Sequence, residues 1–374
     1  MLIGLPSEIK SHEYRVGLTP GAVREYTARG HRVMVQSGAG GGIFATDAAY
    51  NAAGAEIAAE ATEIFSTADM IVKVKEPQQS EWVQLREGQI LFTYLHLAPD
   101  AEQAKGLLAS GCTAIAYETV TDEHGALPLL APMSEVAGRL SIEAAGEAMR
   151  RSEGGAGILL GGVPGVPAGR VTVIGGGVVG THAARMAVGL GAEVTIVDRS
   201  IPRLRQLDEL FNGRVRTRYS TLETIDHEIS VADAVIGAVL IPGASAPRLV
   251  TRDMLKNMKP GSVLVDVAID QGGCFETSKP TTHEDPTFVV DGIIHYCVAN
   301  MPGAVPQTSA AALNNATLPY GLALAEQGRD AMHSHSAIGA GLLDGLNIHK
   351  GQVTSKPVAE SLEMPFIEPE AALG

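Results

Sequence analysis

Hydrophobic positions in the first third of the chain fall into short runs, and helical patterns lie between them. The apolar runs cover residues 2–5, 32–36, 70–74, 90–94 and 113–117. One helix is expected to follow Thr19, with Pro20 at its first position, and to stop at Gly30. Another is expected over residues 100–110, before Gly111. Strands that alternate with helices predict a largely parallel sheet.

The rest of the chain continues this alternation after one long helical pattern at residues 133–151 and a Gly- and Pro-rich loop at residues 154–167. Further apolar runs lie at residues 171–174, 193–197, 234–236, 262–267 and 288–290, and helical patterns at 309–326 and 337–343. We expect a nucleotide-binding domain at residues 129–306. The other domain is then discontinuous, over residues 1–128 and 307–374, and two long helices link the two domains.

The most informative run is residues 171–180, VTVIGGGVVG, in which an apolar strand enters a G-x-G-x-x-G turn. Gly175 suits the tight turn, Gly177 lets the backbone approach a pyrophosphate, and Gly180 lets the helix pack on the sheet. Phosphates would bind at the amino end of this helix. Asp198 ends the next apolar run, where it can accept hydrogen bonds from a ribose diol. The pattern predicts a dinucleotide site; a glycine-rich turn without a ligand is the alternative.

Composition narrows the classes of protein. The chain has 374 residues, 45% hydrophobic and 19% charged, which is typical of a globular protein with more than one core. Its net charge of −14 argues against a nucleic-acid partner, which needs a basic surface. Cys112, Cys274 and Cys297 show no C-x-x-C spacing, so we expect reduced thiols in a cytoplasmic protein. The apolar runs are too short for a membrane span, and the first residues do not read as a signal peptide.

Polar side chains follow several predicted strands, at the end where parallel sheets bind ligands. Lys75, His96, Glu118 and Asp270 each come after an apolar run, and a polar loop with Arg15 follows the first run. Arg15 and Lys75 could hold an anionic substrate, since arginine offers a planar fork and lysine a point charge. His96 is the preferred base for hydride-transfer chemistry, because histidine titrates near neutral pH. Asp270 could stabilise an iminium or hold an attacking water.

Structural roles remain open for the same kinds of residue. A histidine after a strand is often a surface residue, a lone lysine or loop arginine is often solvated, and Asp270 could cap the turn before Gly272. By residue type alone, Lys73 and Asp266 are as good candidates for a functional role as Lys75 and Asp270. Because they are predicted to lie inside strands, ion pairing in the sheet is the expected role of both.

Several motifs, in order along nearly the whole chain, resemble those of the alanine dehydrogenases. They are residues 3–10 (IGLPSEIK), 13–16 (EYRV), 72–77 (VKVKEP), 92–98 (FTYLHLA), 131–139 (APMSEVAGR), 160–166 (LGGVPGV), 175–180 (GGGVVG), 266–273 (DVAIDQGG) and 298–303 (VANMPG). The resemblance implies an α/β fold of two Rossmann-like, doubly wound domains with a cleft between them.

The resemblance also implies NAD-linked reversible oxidative deamination of L-alanine to pyruvate and ammonia, by a homohexamer. Arg15 and Lys75 would bind the substrate carboxylate, His96 would be the acid/base, and Asp270 would be the catalytic carboxylate near the nicotinamide. The implied cofactor contacts are Ser134, Gly175, Gly177, Val178, Val179, Gly180, Asp198, Arg203, Ser220, Val239, Leu240, Ile269, Asp270, Val298, Asn300 and Met301.

Two positions bear on a metal and on the choice of cofactor. Some family members hold a metal with an acid and a histidine on the late helix. Residues 324–328, LAEQG, lack that histidine, so no metal is expected. Arg199 could tolerate a 2′-phosphate that its neighbour Asp198 would repel, so NAD is favoured over NADP.

Two other functions share some of these features. The nucleotide-binding subunit of a proton-translocating transhydrogenase has the same two-domain plan, but with an extra loop and membrane helices that are not evident here. A non-catalytic NAD-binding protein would keep residues 175–180 and lose the cation pair and the base. The joint presence of Arg15, Lys75, His96 and Asp270 favours the enzyme. An assay of NADH formation from L-alanine and NAD distinguishes these three functions.

Overall fold

The computed structural model describes residues 1–239 and 246–374. These residues form two compact units. The first unit comprises residues 1–133 and 305–374, and the second comprises residues 134–304. The first unit is therefore assembled from both ends of the chain.

Strands and helices alternate along both units. The strands are β1 Leu2–Leu5, β2 Arg32–Gln36, β3 Glu56–Ala58, β4 Met70–Val72, β5 Ile90–Thr93, β6 Thr113–Ala116, β7 Arg170–Ile174, β8 Glu193–Asp198, β9 Val215–Tyr219, β10 Ala234–Gly237, β11 Val263–Asp266, β12 Thr287–Val290, β13 Ile293–Tyr296, β14 Leu346–His349 and β15 Gln352–Val353. The helices are α1 Pro20–Ala28, α2 Asp47–Ala52, α3 Ala61–Thr67, α4 Gln79–Trp82, α5 Ala101–Ser110, α6 Ala131–Ala148, α7 Val178–Gly189, α8 Ile201–Phe211, α9 Leu222–Val231, α10 Arg252–Leu255, α11 Pro306–Gln327, α12 Ala337–Gly345, α13 Lys356–Leu362 and α14 Pro369–Leu373.

The sheet of the first unit has the strand order β15-β14-β6-β5-β4-β1-β2-β3. Strands β1 to β6 pair in parallel, whereas β14 and β15 run antiparallel to their neighbours. All four side chains of β5 and of β6 are buried, as expected of parallel strands covered on both faces. The strand order reverses between β1 and β4, which is the position where doubly wound sheets bind ligands.

The sheet of the second unit has the order β12-β13-β11-β10-β7-β8-β9. Its strands pair in parallel apart from the edge strand β12. The order reverses between β7 and β10, so the turn after β7 lies at the ligand position of this sheet. The expected α/β fold with two Rossmann-like, doubly wound units is confirmed.

Helix ends follow the capping residues in the sequence. The hydroxyl of Thr19 accepts the N–H of Ala22 at the start of α1, and the carboxylate of Asp100 accepts the N–H of Gln103 at the start of α5. Gly111 ends α5 in the left-handed conformation, with φ of +68°. Both expected helices are therefore confirmed, with their caps.

Three strands of the first unit are shorter than their apolar runs. Strands β4, β5 and β6 end one or two residues before the predicted ends at residues 74, 94 and 117. Val74 and Tyr94 lie beyond the strand ends, but their side chains are still buried, which explains why the apolar runs extend past the strands. The first residues of the connecting loops are thus part of the core.

We find no helix within residues 1–239 and 246–374 that is long and apolar enough to cross a membrane.

Candidate functional site

Four neighbouring strands of the first unit, β1, β4, β5 and β6, carry the polar residues of interest just beyond their carboxyl ends. We call this region the first-unit edge: the loops after β1, β4 and β5 and the single turn Tyr117–Thr119 after β6. Arg15 follows β1, Lys75 follows β4 and His96 follows β5. The topology thus brings the two predicted cations and the predicted base to one edge of one sheet.

Glu8 joins the loop after β1 to the loop after β4. Its Oε1 accepts the N–H of Val74 at 2.7 Å, and its Oε2 lies 3.1 Å from Nζ of Lys73 and accepts the N–H of Lys75 at 3.4 Å. Lys73 also pairs with Glu81 of α4, at 2.8 Å. Glu8 therefore holds the backbone that carries Lys75.

The ion pairing expected of Lys73 is confirmed, but its position is not. Lys73 lies just after β4 rather than inside it, and its partners come from a loop and a helix rather than from the sheet. Burial of Lys73 lowers its pKa, but the charges of Glu8 and Glu81 outweigh burial and raise it. The ammonium is therefore a fixed positive charge under the first-unit edge.

Arg15 is buried and held by Glu13. Its Nε donates to Oε1 of Glu13 at 2.7 Å and its Nη2 to Oε2 at 2.5 Å, while Nη1 lies 3.0 Å from Sδ of Met133. Burial would lower the pKa of Arg15, but the hydrogen bonds and charge of Glu13 raise it. The guanidinium plane is thus set by the protein, as a bidentate anion site requires.

His96 has an unusual backbone, with φ of +47°. Its N–H donates to Oε1 of Glu118 at 2.6 Å, and the N–H of Leu95 donates to the same carboxylate. A left-handed conformation costs on the order of 1 kcal/mol outside glycine, and it is kept where neighbouring groups enforce it. Glu118 is therefore a backbone anchor for His96.

The ring of His96 is 44% exposed and lies beside a second carboxylate. Its Nδ1 is 3.4 Å from Oε2 of Glu76, whose other oxygen binds Nζ of Lys10. The ring of Tyr94 lies 5.7 Å away between centroids. Neither Glu76 nor Glu13 was singled out from the sequence, although each lies within two residues of a predicted site residue.

In the second unit, the glycine turn after β7 has the close packing that its spacing predicts. Gly175 has φ of +103°, and a Cβ there would lie 2.6 Å from the carbonyl oxygen of Ala238. A Cβ at Gly180 would overlap the carbonyl oxygen of Gly175. By contrast, a Cβ at Gly177, the N-cap of α7, would meet no described atom within 4 Å. The turn is tight on its protein side and open at Gly177, which fits a phosphate at the start of α7.

Asp198 and Arg203 brace this turn. The carboxylate of Asp198 accepts the N–H of Gly176 and the N–H of Ser200, both at 2.7 Å. Arg203 donates from Nε to the carbonyl oxygen of Gly176 at 2.7 Å and from Nη2 to Oγ1 of Thr181 at 2.8 Å. Each carboxylate oxygen can accept a further hydrogen bond, so bracing the turn is compatible with binding a ribose.

The remaining predicted cofactor residues are distributed as follows within the second unit. Val178 and Val179 start α7, Ser134 lies in α6, Ser220 follows β9, Val239 follows β10, Ile269 and Asp270 lie in the single turn Ile269–Gln271 after β11, and Val298, Asn300 and Met301 follow β13. Leu240 lies outside the described residues. Most of these residues follow strands of the parallel sheet, at the end where the glycine turn lies.

Asp266 holds the segment that carries Asp270. Its carboxylate accepts the N–H groups of Ala268, Cys274 and Phe275 at 3.0 to 3.3 Å, and the hydroxyl of Ser278 at 2.5 Å. The ion pairing expected of Asp266 is wrong, because its described hydrogen-bond partners are backbone N–H groups, the hydroxyl of Ser278 and the thiol of Cys274. Burial raises the pKa of Asp266, although these donors lower it in part. Asp270, in contrast, is exposed.

Over the described ranges, no three His, Cys, Asp or Glu side chains come together as a metal site would require.

The fold and this turn define an α/β protein with a nucleotide-binding Rossmann unit. Residues 4–137 match the N-terminal domain of alanine dehydrogenase/PNT, and residues 141–356 match its C-terminal domain. The chain belongs to the alanine dehydrogenase/PNT family.

Individual proteins show the same relationship. The alanine dehydrogenase of Halomonas elongata is 57% identical over 375 residues, which covers 100% of both chains. A solved structure of an L-alanine dehydrogenase is 48% identical with a TM-score of 0.93, covering 97% of this chain and 99% of that one. A transhydrogenase from Sinorhizobium meliloti is 26% identical with a TM-score of 0.81, covering 95% and 99%. The expected family is confirmed, and so is the expectation that the chain is an oxidoreductase of the alanine dehydrogenase type.

Proposed function

We propose that this protein catalyses the NAD-linked, reversible oxidative deamination of L-alanine to pyruvate and ammonia. The observation that carries the proposal is the first-unit edge, where loops of adjacent strands bear Arg15, Lys75 and His96 at the reversal of strand order. An α-amino acid presents a carboxylate for the cations and an ammonium for the base. The full-length similarity to alanine dehydrogenases supports this choice of substrate.

NAD fits the second unit. The open face at Gly177 and the N–H groups at the start of α7 would hold the pyrophosphate. The carboxylate of Asp198 would accept from the ribose and repel the 2′-phosphate of NADP, and Arg199 is exposed beside it. When bound, NAD supplies the acceptor for the hydride that leaves the α-carbon.

Substrate binding is assigned to the two cations. Arg15 would bind the substrate carboxylate through a guanidinium already oriented by Glu13, and Lys75 would add a point charge from a backbone held by Glu8. Because Glu13 holds the guanidinium itself, Arg15 needs little rearrangement on binding, whereas Glu8 holds only the backbone of Lys75. The proposal requires the α-carbon held here to come within contact of the nicotinamide.

Proton transfer is assigned to His96 and hydration to Asp270. His96 would take a proton from the substrate ammonium, so that the amine can form an iminium as the α-hydride leaves. Asp270 and His96 would then position the water that attacks the iminium. L-Alanine, NAD and water are thereby converted to pyruvate, ammonium, NADH and a proton.

Further parts of the proposal rest on the family resemblance. The NAD-binding domain would be residues 129–306 and the substrate domain residues 1–128 with 307–374. The long helices α6 and α11 would link them, and closure of the two domains would exclude water during hydride transfer. The protein would act as a homohexamer in the cytoplasm.

The test is NADH formation on adding L-alanine and NAD to the purified protein at alkaline pH. The proposal expects turnover by the wild type and a loss of about 10²- to 10⁴-fold in His96→Ala, the range typical of general acid–base catalysis. A transhydrogenase-type subunit would bind NAD and form no NADH from L-alanine. Near-wild-type turnover in His96→Ala would remove His96 from its role.

A further inference from the structure

Glu76 lies between a cation and the predicted catalytic base. Its carboxylate is mostly buried; Oε1 binds Nζ of Lys10, from the loop after β1, and Oε2 lies 3.4 Å from Nδ1 of His96, from the loop after β5. Glu76 itself follows Lys75 in the loop after β4. One carboxylate therefore connects three loops of the first-unit edge and touches the imidazole on one defined nitrogen.

We propose that Glu76 is a positioning residue for His96, which accepts the Nδ1–H of the ring and leaves Nε2 as the atom that exchanges a proton with the substrate. This inference rests on the proposed function only in taking His96 as the acid/base. Nothing in the sequence motif distinguished Glu76 from its neighbours; the contact is what assigns the role.

The ionisation of Glu76 determines which ring nitrogen of His96 carries a hydrogen. Burial would raise the pKa of Glu76, but the facing His96 ring, the charge of Lys75 and the hydrogen bond from Lys10 lower it below its usual range. A carboxylate that stays ionised only accepts hydrogen bonds. The ring nitrogen that faces it must therefore carry the hydrogen in both protonation states, which selects one neutral tautomer.

Backbone and ring of His96 are thus held by different acids. Glu118 accepts the N–H of His96 and Glu76 faces the ring, so the left-handed backbone and the ring orientation are fixed independently. A base whose ring is held by a second group is the arrangement seen in hydrolase triads, where the acid orients the imidazole and stabilises its charged form.

The kinetic test compares Glu76→Gln with the wild type. The amide keeps the size of the side chain but removes its charge and its obligatory acceptor character. We expect kcat for L-alanine to fall by about 10- to 100-fold, with KM within about threefold, since the lost interaction is not with the bound substrate. Glu102→Gln, which changes an exposed glutamate paired with Lys105 on α5, is the matched control and should leave both parameters unchanged.

The pH profile separates orientation from loss of structure. Glu76, Tyr94 and Glu118 are titratable groups beside His96, and Lys10 and Lys75 are the cations that act on Glu76. A carboxylate beside the ring stabilises the imidazolium, so in Glu76→Gln the acid limb of kcat/KM should move to lower pH. An unmoved acid limb with wild-type kcat would overturn the inference, and so would a lower kcat that only follows a loss of folded protein in thermal unfolding.

A second readout needs no turnover. In protein labelled with ¹⁵N-histidine, the His96 signals are those that disappear in His96→Gln. The inference expects the neutral wild-type ring to carry its hydrogen on Nδ1, and Glu76→Gln to populate the other tautomer. A wild-type ring with the hydrogen on Nε2 would overturn it. If the wild type forms no NADH from L-alanine, the proposed function fails, and this spectrum still decides the tautomer.

Discussion

At the scale of single residues, the first-unit edge is organised by carboxylates rather than by the cations that its sequence pattern suggests. Glu13 holds the fork of Arg15, Glu8 holds the backbone of Lys75, and Glu76 and Glu118 hold His96. Each acid fixes a group that the proposed reaction needs. The candidate substrate site is thus oriented before substrate binds.

Replacing Arg15 by lysine tests whether the guanidinium fork matters beyond its charge. Arg15→Lys keeps a cation but loses the planar guanidinium, which Glu13 holds in place through Nε and Nη2. We expect KM for L-alanine to rise by about tenfold or more, the equivalent of about 1.4 kcal/mol. Steady-state kinetics measure this change. Arg24→Lys, at an exposed position on α1, is the control, and an unchanged KM in Arg15→Lys would exclude Arg15 from the carboxylate site.

At the scale of elements, the turn between β7 and α7 separates packing from ligand binding within a few residues. A methyl group at Gly180 would overlap the carbonyl oxygen of Gly175, whereas a methyl group at Gly177 would meet open space. The two glycines therefore differ: Gly180 is needed for packing, and the open side of Gly177 is where the proposed cofactor would bind.

Alanine substitutions in this turn should separate stability from NAD binding. Gly180→Ala should lower the free energy of unfolding by about 1–3 kcal/mol or more through overpacking. Gly177→Ala should change it by less than about 1 kcal/mol, yet raise KM for NAD by about tenfold, because the methyl group occupies the phosphate side. Denaturant unfolding and NAD titration measure the two effects.

Gly189→Ala is the control on the same helix, since a Cβ there meets no described atom within 4 Å. It should stabilise α7 by up to about 1 kcal/mol and leave KM for NAD unchanged. A Gly177→Ala variant with wild-type affinity for NAD would show that the pyrophosphate does not lie at this turn.

The elements also show what the chain pattern could predict. Strands β1 and β2 and the caps of α1 and α5 follow directly from apolar runs and capping residues. Strand β9 was missed because it is a largely exposed edge strand whose alternate residues are charged. Strand β13 was missed although Asp291 and Gly292, both at positive φ, form the two-residue turn typical of a hairpin.

The candidate site was predictable in part for a physical reason. Residues such as Lys75 and His96 lie at strand ends, and parallel topology brings strand ends to one edge. The roles of Glu8, Glu76 and Glu13 depend on contacts between loops distant in sequence, which periodicity does not encode. Lys73 shows the same limit. Its position in an apolar run predicts a strand, but its burial depends on two acids from other parts of the chain.

At the scale of the whole molecule, the first unit depends on a buried charge cluster. Lys73 is fully buried between Glu8 and Glu81, both also buried. Removing one member of such a group leaves the others buried without a counter-charge, which costs more than the group contributes when intact.

Lys73→Met should therefore destabilise the protein by about 3–5 kcal/mol. Denaturant unfolding measures this loss. The matched control is Lys105→Met, which removes an exposed ion pair with Glu102 and should cost less than about 1 kcal/mol. Equal losses in the two variants would mean that removing Lys73 does not leave Glu8 and Glu81 as buried, unpaired charges.

In the proposed reaction, the α-hydride of L-alanine passes to NAD at a site where His96 handles the proton. This transfer can be followed with L-alanine deuterated at the α-carbon, incubated with NAD and the purified protein at alkaline pH. We expect NADH that carries the deuterium, formed with pyruvate in equal amount, and about 10²- to 10⁴-fold more slowly in His96→Ala. NADH without deuterium, or no NADH from L-alanine at all, would contradict it.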